Sequence, residues 1–190
     1  MRITQIVDLM EGIRPQYFYH GTSFKNLASI VNDGFIYPNE PIWDADKKDG
    51  RDYISLTRDV SFGKGYDVNI TVDPFFLKHT IKTQPFDFFG DTEDSRRKER
   101  EERVFQPIPV NSKIIKRIDM YVGTYETTDD FGRRLPINKL HERLKNWFDY
   151  KCPGIGQKLA EKGIVVGCRN YSQYMLNSEI KEMLNSIQLN

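Results

Sequence analysis

The chain has 190 residues, with 28 Lys and Arg against 27 Asp and Glu. The net charge of +1 excludes a strong global field for nucleic acid or a membrane surface, so a polyanion would need a local basic patch. Hydrophobic residues at 38% and charged residues at 29% describe a globular chain that can bury a core without staples, most simply as one domain. Cys152 and Cys168 have neither metal-ligand spacing nor a disulfide framework, and neither a signal-peptide core nor a bilayer-spanning apolar run is present, so a cytoplasmic protein without a membrane partner is expected.

In chain order, Ile3, Ile6, Val7 and Met10 predict a short amphipathic helix over 3–11, stopped by Gly12. Tyr17, Phe18 and Tyr19 then read as a buried strand that ends at His20 and Gly21. Ser23 is placed to cap a helix whose apolar face is Phe24, Leu27, Ile30 and Val31, and Gly34 suits the left-handed position beyond its end. His20, Gly21 and Thr22 bring an imidazole, a bare backbone and a hydroxyl together, a combination able to hold a polar ligand closely. A histidine ending an apolar strand can equally be a satisfied structural residue.

After a strand fragment at Ile36 and Tyr37, residues 38–52 read as a long exposed loop. From Tyr53 to Thr57 the chain alternates, with Ile54 and Leu56 on one face and Tyr53, Ser55 and Thr57 on the other. Arg58 follows, then Phe62-Gly63-Lys64-Gly65-Tyr66, where basic side chains beside glycines suit a diphosphate or a plain hairpin turn. Val68, Ile70 and Val72 make a strand, and Asp73-Pro74 opens a short helix. Residues 91–103 are a mixed charge run that passes from Glu101-Glu102-Arg103 straight into Val104-Phe105, so a glutamate should stand at a strand start. Ile118 to Val122 reads as a strand. Beyond a break at 123–130 come an apolar stripe of Ile137, Leu140, Leu144, Trp147 and Phe148, a short turn over 157–162 stopped by Gly163, and a final amphipathic helix through Ile180, Met183, Leu184 and Ile187.

The aromatic strand with its His-Gly-Thr turn, the alternating hydroxyl strand and the late glutamate resemble, in that order, the His-containing branch of the ADP-ribosyltransferase superfamily. That branch includes the poly-ADP-ribose polymerases, the DarT-like toxins and the RNA 2'-phosphotransferases. The resemblance implies an α+β fold, a split, largely antiparallel β-sandwich around an NAD cleft. Residues 1–125 would form the catalytic core, and 126–190 a helical extension packed on it. It implies NAD as substrate, no metal, and transfer of ADP-ribose to a macromolecular acceptor, protein or nucleic acid, as in bacterial toxins and phage effectors of this compact size.

By the same resemblance His20 would bond the adenosine-side ribose and the Gly21 backbone would hold the nicotinamide amide beside Thr22. Tyr53 would stack on the ring, with Tyr66 as a second candidate. Ser55 and Thr57 would support the cleft, Arg58 would neutralise phosphate, and Glu102, with Glu101 as its rival, would stabilise the oxocarbenium-like ribose and activate the acceptor. An NAD glycohydrolase, an RNA 2'-phosphotransferase and a non-enzymatic binding protein are the alternatives. The oligomeric state is left open.

Overall fold

The computed structural model describes residues 17–39, 52–58, 65–80, 83–86, 101–122, 128–133, 135–170 and 187–189. The helix expected over 3–11, most of the 38–52 loop, Gly63 and Lys64, the charge run up to Arg100 and nearly all of the last helix lie outside them. Within them the chain is a mixed α and β fold. Strand β1 (Phe18–Thr22) leads into helix α1 (Phe24–Asp33), followed by β2 (Phe35–Ile36), β3 (Ile54–Leu56), β4 (Val68–Val72), α2 (Pro74–Thr80) and β5 (Thr83–Phe86). Then come β6 (Glu101–Val104), β7 (Ile108–Pro109), β8 (Ile115–Val122), α3 (Ile137–Lys151), α4 (Ile155–Glu161) and β9 (Val165–Asn170).

A four-stranded sheet has the order β1-β4-β8-β9, a three-stranded one β3-β6-β5, and β2 pairs with β7. All pairs are antiparallel except β8 with β9. Two findings depart from the expectation from sequence. The described residues hold three sheets where two were expected, and the stretch beyond 126 is not helical throughout. Gly163, at φ 67°, turns the chain out of α4 into β9, and Val166 and Cys168 bury their side chains in the core as a parallel neighbour of β8. A parallel partner needs a crossover, and α3 with α4 supplies it.

The first helix forms as its residues dictate. The Ser23 hydroxyl accepts from the Asn26 amide at 3.2 Å, and the carboxylate of Asp67 accepts from the Phe24 amide at 3.2 Å, so two of the first-turn donors are satisfied. Phe24, Leu27 and Val31 are buried, and Gly34, at φ 77°, donates to the Ile30 carbonyl. The Phe24 ring meets Trp147 of α3 edge-on at 5.5 Å between centroids, which ties the α1 N-terminus to the C-terminal helices. Ser23→Ala is expected to cost about 1 kcal/mol, read as a lowered midpoint in urea unfolding with an unchanged slope. The cap fixes the helix that follows His20 and Gly21, so the fold and the candidate site share this junction.

Candidate functional site

The site is built where β1 meets β3. Tyr19 and Thr57 exchange both backbone bonds, each at 2.8 Å, and join the four-stranded sheet to the three-stranded one. Backbone groups of alternate residues point to the same side of a strand, so the Gly21 N–H and C=O face β3 as those of Tyr19 do. The pairing does not extend to Gly21: the Ser55 carbonyl accepts instead from Nδ1 of the His20 ring at 3.0 Å. Among the described residues this leaves a donor and an acceptor of Gly21 side by side on an open strand edge. The Tyr66 ring lies against Gly21 where any Cβ would overlap it, which is why this position requires glycine.

A carbonyl can only accept, so Nδ1 carries the proton and the neutral ring presents Nε2 as an acceptor. His20 is half-buried, and that burial pulls its imidazole below the ordinary value of 6.5, with the bond to Ser55 pulling the other way. The unfolded chain therefore takes up the proton first on acidification. The His20 contribution to stability is fully present above about pH 6.5 and is lost as the pH falls below it. Melting temperatures of wild type should fall between about pH 7 and pH 5, and His20→Gln should flatten that fall. Identical profiles for the two proteins would contradict the placement of a half-buried neutral ring.

Glu102 stands across β3 from His20. The register sets Glu102 opposite Leu56, and carrying the Tyr19–Thr57 register one residue along sets Leu56 opposite His20. Directly opposed residues share a face, so His20 and Glu102 lie in one row, with their Cα atoms about 9–10 Å apart, two strand spacings. Glu102 is 1% exposed, and Arg58 donates from its Nη2 to Oε1, while Oε2 has no hydrogen-bond partner among the described residues. A buried carboxylate braced on one oxygen and unpartnered on the other can stabilise a nearby cation or accept a proton.

The pleat separates some residues that the sequence grouped. Tyr53, Ser55 and Thr57 were expected to line one cleft with Glu102. Glu102 instead shares its face with Ile54 and Leu56, and Ser55 lies opposite Arg103 on the other. Tyr53 is occupied there: the Arg103 guanidinium sits 4.2 Å above its ring, and Phe105 meets it at 6.4 Å. Ser55 is exposed, while Thr57 and Thr22 are buried. Arg58, expected on a phosphate, is engaged with Glu102. Of the rival glutamate, Glu101, only the backbone is described, at the first position of β6.

A cluster that the sequence reading passed over lies on β8 and β9, where Asp119 accepts from Arg117 and Arg169. Its signal was the alternation of Arg117, Asp119 and Tyr121 with the apolar Ile118, Met120 and Val122. Among the described residues no group of three or more His, Cys, Asp or Glu is placed to hold a metal ion, and no helix is long and apolar enough to cross a membrane.

No family model matches the chain, and no curated protein matches it. Among solved structures the chain is similar to Thermus sp. 2.9 DarT in complex with ADP-ribosylated ssDNA, at 12% identity and a TM-score of 0.41, over 70% of this chain and 89% of that one. At that TM-score the likeness carries no argument about this chain.

Proposed function

We propose that the protein is a mono-ADP-ribosyltransferase that cleaves the nicotinamide glycosidic bond of NAD and passes ADP-ribose to a macromolecular acceptor, protein or nucleic acid. The observation that carries this reading is the buried Glu102, held by Arg58 through one oxygen and unpartnered at the other, in one row with His20. The residues present fit the dinucleotide. The open Gly21 edge offers an N–H and a C=O to the carboxamide of nicotinamide. Tyr66, lying on Gly21, is the ring at this edge and takes the stacking role in place of Tyr53. His20 Nε2 accepts from a ribose hydroxyl.

In the reaction the C–N bond breaks with its electron pair leaving on nicotinamide, and the ribose carbon becomes oxocarbenium-like. Glu102 stabilises that charge, and as the acceptor oxygen or nitrogen forms the new bond Oε2 takes its proton. Arg58 holds the carboxylate by one oxygen and orients it, so its part is positioning rather than binding phosphate. The split sandwich that surrounds such a site in the superfamily belongs to the same proposal, with the Tyr19–Thr57 pair as its junction.

The test is incubation of the purified protein with labelled NAD and a cell lysate, with and without nuclease. Label on protein, or on material that nuclease releases, supports transfer and names the acceptor class. Free ADP-ribose as the sole product would overturn transfer in favour of glycohydrolysis.

A further inference from the structure

One face of the central sheet carries charge that the proposed reaction does not use. Alternation sends Ile118, Met120 and Val122 into the core and Arg117, Asp119 and Tyr121 to the other side of β8. Asp119 is 0% exposed and accepts from Arg117 Nε at 2.5 Å and from Arg169 Nε at 2.7 Å. Two cations on one anion leave an excess positive charge. Both arginine side chains keep about a quarter of their surface, so the carboxylate is a brace that holds two guanidiniums at the edge of solvent.

Next to them on β4, Asn69 stands opposite Asp119 and Thr71 opposite Arg117. Both are at least nine-tenths buried, and Asn69 Oδ1, Thr71 Oγ1 and Arg117 Nη2 have no hydrogen-bond partner among the described residues. The Asn69 amide donates through Nδ2 to the Tyr121 hydroxyl at 3.3 Å, which makes Oδ1 its unused end. Buried polar atoms without partners are uncommon in folded proteins, and three on adjoining positions call for an explanation. Gly167 completes the cluster, since a Cβ there would overlap the Arg117 guanidinium that lies on it.

We infer that this face is a binding site for a phosphate ester. The paired guanidiniums match phosphate oxygens in charge and fork geometry, and the Asn69 carbonyl and Thr71 hydroxyl match a hydroxyl on the esterified sugar. By the alternation of β1 the site is on the side of Tyr19, away from His20, and the Tyr66 ring that lies on Gly21 shares that side. A mononucleotide and a nucleic-acid strand present the same chemistry.

The test measures fluorescence anisotropy of a labelled single-stranded oligonucleotide, with AMP and inorganic phosphate as competitors. Wild type is compared with Arg169→Gln, Arg117→Gln, Gly167→Ala and, as a charge-matched control, Lys145→Gln on the exposed side of α3. Each arginine variant is expected to bind about tenfold more weakly and to lower the slope of log affinity against log salt by about one, while the control does neither. Competition by AMP assigns the site to a single phosphate ester, and its failure beside retained oligonucleotide binding assigns it to a strand. Arg169, being partly exposed, carries the test if the Arg117 variant does not fold. No binding to any probe, or equal binding by Arg169→Gln and Lys145→Gln, overturns the inference.

Discussion

Glu102→Gln is expected to lower the rate constant for nicotinamide release by on the order of 10²–10³-fold, with a much smaller change in KM. The amide keeps the size of the side chain and can still accept from Arg58, so the packing beside Leu56 is retained. What it loses is the negative charge that, in the proposed reaction, acts once the ribose becomes cationic. Arg58→Gln should lower the same rate constant less, since it removes a positioning contact and leaves the carboxylate in place. Parallel losses of folding and activity would mean that the pair is structural. A full rate in a folded Glu102→Gln protein would remove the glutamate from the chemistry.

The largest expected stability effect lies on the opposite face. Asp119→Ala should destabilise the protein by about 3 kcal/mol, or on the order of 10 °C in melting temperature for a chain of this size. Removing the carboxylate leaves two guanidiniums, each only about a quarter exposed, facing each other without their shared anion. The like-charge repulsion and the lost charge-assisted bonds act together. Breaking one arm should cost less, because Arg169→Gln keeps Asp119 paired with Arg117. Differential scanning calorimetry checks the order, and a smaller loss for Asp119→Ala than for Arg169→Gln would contradict it.

The sequence is most legible where one residue type fixes one local feature. Ser23 and Gly34 bound α1 because a hydroxyl satisfies first-turn amides and glycine takes φ 77° without strain. Strands β3 and β4 follow from alternation and β-branched runs, and Glu102 follows from the abrupt change of charge into apolar residues at β6. What stays hidden is what register decides. That Glu102 meets Arg58 and faces away from Ser55 depends on which residues of β3 and β6 oppose one another, and a shift of one would reverse it. Strand β9 is short, contains Gly167 and sits between helical patterns, so its local signal is weak until β8 is there to pair with it. The convergence of Arg117 and Arg169 on one carboxylate likewise needs a parallel crossover that brings residues about 50 positions apart together.

The most direct measurement is nicotinamide release from NAD by the purified protein, with wild type and Glu102→Gln run side by side in the presence of lysate acceptor. The proposed chemistry predicts release by wild type, with ADP-ribose recovered on the acceptor, and its near loss in the variant. No release by the folded wild-type protein under any acceptor condition would contradict it.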